Sequence, residues 1–166
     1  MPSGDRSVPL GIRDTEGRTT VQHRFELHRV DLEAAFALFS DPARLNDVTP
    51  EWFSLIVRGP HPWPLRRGAR IDYRFHWRGL PLPWRSIITE YHPPCSLVYR
   101  QERGPFRYFQ HEHYFEAVDA GVLITDRIVY RVLGGPWVER YLVQPDLQRI
   151  LRYREAASRR LLEAAV

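Results

Sequence analysis

Four ionisable side chains of the types used in acid–base chemistry fall on predicted strands of this chain. His111 and His113 lie in one strand, Asp126 lies in the next, and Glu90 lies in an earlier one. A histidine exchanges its proton near neutral pH, and a carboxylate bonded to one ring nitrogen fixes which nitrogen carries that proton. Such a pair can transfer a proton to or from a bound substrate. These four residues are therefore the candidate catalytic residues.

The same residues also have a structural interpretation. A buried carboxylate can hold histidines in place and fix strand register without doing any chemistry. For His111 and His113 we favour this role, or simple contact with a ligand. For Asp126 we expect a structural ion pair, because a carboxylate near the end of a sheet often pairs with arginine.

A metal site is a further alternative, because the segment HEHYFE offers His111, His113 and Glu116. Two histidines and a carboxylate can form a facial triad for iron or zinc. Side chains alternate between faces along a strand, however, so Glu116 falls opposite the two histidines. Asp126 or Glu90 would have to supply the third ligand. We expect neither a metal nor another cofactor.

Composition excludes several classes of protein. The 24 basic side chains are all arginine, and without lysine there is no Schiff-base chemistry, PLP lysine or Walker A lysine. The single cysteine, Cys95, rules out an intramolecular disulfide. No apolar run approaches the length of about 20 residues needed for a membrane span, and no signal peptide is recognisable. We expect a cytoplasmic protein without stable membrane insertion.

The arginines do not predict a nucleic-acid interface. They are scattered and mostly alternate with apolar residues, which is typical of the outward faces of amphipathic elements. There are two dense groups, in residues 66–74 and 149–160, and the second is interspersed with acidic residues and is interpreted as a solvated helix face. We therefore expect no nucleic-acid partner.

A series of strands and one long helix must position the candidate catalytic residues. Residues 1–18 are interpreted as a flexible lead-in and 19–166 as one domain. A strand over 19–28 precedes a helix capped by Asp31 and a short helix over 42–47. Further strands are predicted at 52–58, 69–78, 84–91, 96–102, 108–117 and 122–131. After Gly134 the period becomes helical, with a kink or restart expected at Pro145.

Short links between successive strands imply an antiparallel meander, hence an α+β fold. Its apolar face needs a cover, and the terminal helix carries the matching apolar stripe. We expect a curved sheet around that helix with a cavity between them. The side chains predicted to line the cavity and contact a ligand share the inward face: Tyr73, Phe75, Trp77, Trp84, Ile88, Glu90, Tyr99, Gln101, Phe109, His111, His113 and Tyr130.

Several segments resemble the START-like, or SRPBCC, superfamily, in a bacterial branch near the polyketide cyclase/dehydrase-like proteins. They are FSDPARLNDVTPEWF (39–53), YRFHWRGLPLPWRSIITEYHPP (73–94), SLVYRQERGPFRYFQHEHYF (96–115), TDRIVYRVLGG (125–135) and LQRILRYR (147–154). The resemblance implies a helix-grip fold, with about seven strands around a long C-terminal helix and two short helices after the first strand. Tyr99 stands where that branch commonly has an acidic residue.

The resemblance implies a ligand cavity but does not supply a reaction. The first hypothesis is the binding of a small hydrophobic or amphipathic molecule, such as a lipid, quinone or polyketide-like compound, by a monomer or homodimer. The second is a cyclase, aromatase or dehydratase that uses His, Asp and Tyr groups in the same cavity. The third is a protein–protein or membrane-delivery adaptor that contacts its partner through residues 60–68. Binding without catalysis is favoured.

Overall fold

An eight-stranded antiparallel sheet forms the body of the molecule. The computed structural model describes residues 11–53, 55–59 and 64–163. The strands follow the spatial order β1-β2-β8-β7-β6-β5-β4-β3. Each pair of neighbouring strands is also consecutive in sequence, except β2 and β8. Their bounds are Ile12–Arg13 (β1), Thr19–His28 (β2), Leu55–Arg58 (β3), Arg70–Trp77 (β4), Leu80–His92 (β5), Ser96–Arg103 (β6), Tyr108–Val118 (β7) and Gly121–Arg131 (β8).

Short helices connect β2 to β3. Helix α1 spans Leu32–Ser40, and the Asp31 carboxylate accepts a hydrogen bond from the Ala34 amide at 2.7 Å, which confirms the predicted cap. Two 3₁₀ turns follow, at Pro42–Val48 and Glu51–Phe53. The second turn takes up the first residues of the strand predicted at 52–58, so β3 begins only at Leu55.

The C-terminal helix, α2, is a continuous helix of 29 residues. Its α-helical segments Gly135–Val138 and Gln144–Ser158 alternate with the π-helical turns Glu139–Val143 and Arg159–Glu163. The interruption predicted at Pro145 takes the form of the first π turn, in which the Gln144 amide bonds to the Glu139 carbonyl. Because proline has no N–H to donate to the preceding turn, the wider turn lets the helix continue past it.

Two further strand predictions need correction. The strand predicted at 84–91 begins at Leu80, because Arg78 and Gly79 both have positive φ angles, 52° and 81°, and form a tight two-residue hairpin. The sheet also has one strand more than expected. The additional strand β1 pairs Ile12 with Thr20 and lies within the predicted lead-in, of which residues 1–10 are outside the described part of the chain.

The sheet and the C-terminal helix form a helix-grip fold. Two apolar clusters fill its interior. The larger one contains α1 and the adjoining part of the sheet, with Phe36 packed edge-on against Phe115. The smaller one packs Val143, Leu147 and Leu151 of α2 against Phe109 and Tyr130. A group of buried polar side chains lies with them in the same interior.

Candidate functional site

The two histidines of β7 lie on the inward face of the sheet. His111 is 3% exposed and His113 is 2% exposed. The strand register places His111 opposite Tyr99 of β6, and His113 opposite Asp126 of β8. Asp126 is completely buried. Three of the four candidate catalytic residues are therefore brought together, since His111, His113 and Asp126 approach one another within 4.8 Å.

A hydrogen-bonded chain joins Asp126, His111 and Tyr99. His111 Nε2 lies 2.7 Å from Asp126 Oδ1, and His111 Nδ1 lies 2.8 Å from the Tyr99 hydroxyl. An ionised carboxylate only accepts hydrogen bonds, so His111 must donate from Nε2. Nδ1 then carries the lone pair and accepts the Tyr99 proton. His111 is therefore a neutral histidine in a fixed tautomer.

His113 lies beside the same two groups. Its Nε2 is 3.3 Å from the Tyr99 oxygen, and its Nδ1 is 2.6 Å from Asp126 Oδ1, although without the alignment of a hydrogen bond. Because Tyr99 gives its single proton to His111, His113 Nε2 must be a donor. An unprotonated Nδ1 would set its lone pair against the carboxylate oxygen. Donors and acceptors are therefore matched when His113 carries protons on both nitrogens.

Arg154 of α2 completes the cluster. It is only 6% exposed, and its Nη1 lies 3.1 Å from Asp126 Oδ2 and 3.1 Å from His111 Nε2. Nη1 donates to the carboxylate, since His111 Nε2 already carries a proton. The expected pairing of Asp126 with an arginine is thus present. The interpretation of the arginines in 149–160 as solvated was wrong for Arg154, which occupies the inward stripe of the helix with Ile150 and Leu151.

The electrostatics of the cluster follow from its burial. Burial alone would raise the pKa of Asp126, but the positive charges of His113 and Arg154 hold it well below its usual range. Burial, reinforced by the charge of His113, lowers the pKa of His111 to about 3. Burial also raises the pKa of Tyr99 far above its usual value. At neutral pH Asp126 is ionised, while His111 and Tyr99 are neutral.

A cavity of about 170 Å³ opens between the sheet and α2, above this cluster. Tyr99, His111 and Arg154 form its polar floor. Most other lining groups are apolar. Seven of the residues predicted to contact a ligand line the cavity: Tyr73, Phe75, Trp77, Trp84, Tyr99, Phe109 and His111. Sequence reasoning missed the contribution of α2, which supplies Val143, Leu147, Ile150 and Arg154.

Glu90 is the candidate catalytic residue that the structure places elsewhere. A bulge between Ile88 and Glu90 adds one residue to β5, so that Ile88 pairs with Tyr99 while Glu90 pairs with Val98. The extra residue moves Glu90 to the opposite face, where it is exposed. Glu90 therefore belongs neither to the polar cluster nor to the cavity.

Four other predicted contact residues do not line the cavity. Ile88 is 2% exposed in the larger apolar cluster, and Tyr130 is fully buried in the smaller one. Gln101 holds the loop after β6, since its amide nitrogen donates to the Phe106 carbonyl at 2.8 Å. His113 packs behind Tyr99 and against Phe39. These residues support the lining groups.

The mouth of the cavity joins β4 to α2. The Trp77 indole donates to Asp146 Oδ2 at 2.8 Å, and Arg78 Nη2 lies 3.2 Å from the same oxygen. Asp146, which is 6% exposed, also lines the cavity. Arg149, one turn further along the helix, lies over the Trp52 ring. The mouth is thus bounded by aromatic rings and carries a carboxylate that is paired with Arg78 and Arg149.

The His111, His113 and Asp126 cluster has the composition of a metal site but is arranged differently. The ligand atoms contact one another at 2.6–2.7 Å, as hydrogen-bonded or ion-paired groups do. Arg154 adds a positive charge 3.1 Å from both Asp126 and His111. A cation bound there would be repelled by this guanidinium. The arginine therefore fills the electrostatic role that a metal ion would have.

The segment proposed as an adaptor surface is only partly described. Residues 60–63 lie outside the described part of the chain. Of the rest, Arg66 and Arg67 are exposed while Leu65 is 4% exposed in the larger apolar cluster. Across the described residues, no helix has the length and apolar character needed to cross a membrane.

Solved structures share this fold at low sequence identity. Protein CV1439 from Chromobacterium violaceum superposes with a TM-score of 0.68 at 16% identity, over 87% of this chain and 97% of its own. A Rhodobacter sphaeroides protein gives 0.69 at 12% identity, over 95% and 98%. Ginseng major latex-like protein 151 from Panax ginseng gives 0.66 at 12% identity, over 87% and 97%. No protein-family model and no curated protein matches the sequence. The likeness therefore establishes the fold alone.

Proposed function

We propose that this protein binds a small, mainly apolar molecule in the cavity between its sheet and its C-terminal helix. The observation that carries the proposal is the lining, which consists of aromatic and aliphatic side chains with a few polar groups among them. Ligand sites generally have this composition. A core filled by its own side chains would be close-packed and would leave no such space.

The volume limits the size of the ligand. An apolar cavity of about 150 Å³ accommodates a molecule the size of benzene. The present cavity, of about 170 Å³, therefore suits a compound of about one ring with a small substituent. A sterol, lipid or multi-ring polyketide would require the mouth near Trp77 and Asp146 to open.

Native mass spectrometry of freshly purified protein is the first test, because a retained ligand would be seen directly as added mass. A second test uses 4-fluorotoluene as a probe, with binding observed by ¹⁹F NMR. We expect saturable binding that is lost in Ile150→Trp, which fills the cavity. Leu123→Trp, on the outer face of β8, is the matched control and should bind normally. The proposal fails if no ligand is retained and the probe does not bind.

A second candidate function is acid–base catalysis in the same cavity. It is favoured by one observation: Tyr99 lines the cavity, and its hydroxyl contacts both histidines. Tyr99 can give its proton to the carbonyl oxygen of a ketone while solvent water takes the α-proton, and it can recover a proton from His113 Nε2, 3.3 Å away. The neutral His111, held by Asp126, keeps that hydroxyl in position.

Enolisation of a ketone tests this candidate. We expect accelerated exchange of the α-protons of phenylacetone with deuterium if the site is catalytic. Tyr99→Phe should abolish the acceleration, whereas Tyr114→Phe, which alters a tyrosine of the outer face, should not. Exchange at the background rate in the unaltered protein would leave binding as the function.

A further inference from the structure

Arg154 uses only one part of its guanidinium group. Nη1 bonds to Asp126, and Nε is buried without a hydrogen-bond partner. Nη2 makes no hydrogen bond to any described residue. Unlike Nε, it is not one of the buried atoms without a partner, so it remains accessible. Since Arg154 lines the cavity, Nη2 is its open donor there.

The floor of the cavity also has an unbalanced charge. Arg154 and the doubly protonated His113 are two cations, and they share the single carboxylate of Asp126. Across residues 11–53, 55–59 and 64–163, neither cation contacts another carboxylate. Buried charges are stable when they are paired. A second anion at the floor would balance the cluster.

The charged groups at the two ends of the cavity differ in exposure to solvent. Asp146 at the mouth and Arg154 at the floor are eight residues apart on the same helix, a separation of about 12 Å along its axis. Leu147 and Ile150 line the path between them. At the mouth, Asp146 is paired with Arg78 and Arg149, whose side chains are exposed, whereas Arg154 at the floor is buried. A negative head group would therefore gain more at the floor, where water and salt screen the attraction less.

From this arrangement we propose that the ligand is a small carboxylic acid, whose carboxylate accepts hydrogen bonds from Arg154 Nη2 at the cavity floor. The apolar body of the acid, about one ring in size, lies along Leu147 and Ile150 and points towards Trp77. This assignment rests on the proposed binding function and names the chemical class of its ligand. The Tyr99 hydroxyl borders the same position.

The test compares 4-ethylbenzoate with 4-ethylbenzamide, which has nearly the same shape but no charge, by isothermal titration calorimetry. We expect the acid to bind about tenfold more tightly than the amide, or better, because hydrogen bonds between charged groups are the stronger ones. The variant Arg154→Met removes the proposed donor and leaves Asp126 paired with His113, so no charge in the cluster is left alone. In this variant the preference for the acid should disappear while 4-fluorotoluene still binds.

Arg152→Met is the matched control, since Arg152 is an exposed arginine of the same helix, and it should keep the preference. An acid that binds no better than the amide in the unaltered protein would overturn the inference even if Arg154→Met does not fold. In that case binding of 4-fluorotoluene would show that the cavity itself still holds ligands. Failure of all three probes would count against the proposed function as well.

Discussion

The two faces of strand β7 both carry polar side chains that are largely buried, but their hydrogen-bond networks differ. On the outer face the Tyr108 hydroxyl donates to Gln110, and Gln110 donates to Glu112 at 2.7 Å. Tyr114 and Arg127 donate to the other oxygen of Glu112. Glu112 is only 3% exposed, yet both of its oxygens have partners. The outer network is complete in itself.

The inner network, formed by Tyr99, His111, His113, Asp126 and Arg154, is not complete. It carries one positive charge more than it has carboxylates, and Arg154 Nη2 faces the cavity without a partner. The comparison teaches that burial of polar groups does not by itself indicate a binding site, because Glu112 is as buried as His111. What distinguishes the inner face is a spare donor beside an apolar cavity.

The largest difference should appear when the central carboxylate of each network is neutralised. Asp126→Asn leaves Arg154 and His113 buried without an anion, which should cost about 3–5 kcal/mol of unfolding free energy. Glu112→Gln should cost about 1 kcal/mol, because Arg127 is half-exposed and regains water. Urea denaturation measures both. Equal losses of unfolding free energy would show that the inner ion pair contributes no more to stability than the outer one.

Acid should weaken the inner network first. The pKa of His111 is lowered to about 3, whereas in the unfolded chain a histidine takes up a proton near pH 6.5. Between these values the unfolded state binds more protons, so stability falls as the pH falls, by at most about 1.4 kcal/mol per pH unit. The lowered pKa of Asp126 adds a further loss below about pH 4.

The variant His111→Gln should therefore flatten the dependence of unfolding free energy on pH between about 6.5 and 4. His92→Gln alters an exposed histidine and serves as its control, with an unchanged slope. Denaturation curves recorded across this pH range measure the slopes. An unaltered slope in His111→Gln would mean that this histidine is not held neutral.

The two tyrosines provide a smaller contrast. Tyr99→Phe removes the hydroxyl that bonds to His111 and leaves buried ring nitrogens without a partner, at a cost of about 1–2 kcal/mol. Tyr114→Phe removes a longer contact, 3.1 Å, from the partly exposed outer face and should cost less than about 1 kcal/mol. Thermal unfolding of both variants shows which substitution causes the larger loss of stability. The reverse order would contradict the account of the inner face.

The smallest effect is expected at Glu90. The bulge in β5 turns this side chain to the exposed outer surface, so Glu90→Gln should change the unfolding free energy by less than about 0.5 kcal/mol. Binding of 4-fluorotoluene should also be unaffected. Weakened binding in this variant would mean that Glu90 reaches the cavity, which would contradict its place on the outer face.

The sequence predicted the architecture because alternation and turn residues are local signals. The strand at Thr19–His28, the Asp31 cap and the sharing of one face by His111 and His113 were predicted from spacing and residue type. The bulge near Ile88 was not predictable in this way. Adding one residue to a strand leaves no mark in composition, yet it exchanges the faces of everything beyond it.

Arg154 was missed for a different reason. Its position in the apolar stripe of the helix was visible in the sequence, but a single arginine among several neighbouring ones is more often solvated. Its burial follows from the tertiary pairing of α2 with Asp126 on β8. The signal that could have identified it was the combination of an arginine at a core position and an aspartate on an inward strand face.

A structure of the protein crystallised with 4-ethylbenzoate would test the central claim most directly. The account predicts that the carboxylate lies at the cavity floor, about 2.8 Å from Arg154 Nη2, with the ring against Leu147 and Ile150. A carboxylate bound at the mouth beside Arg78 or Arg149, with the floor unchanged, would contradict it.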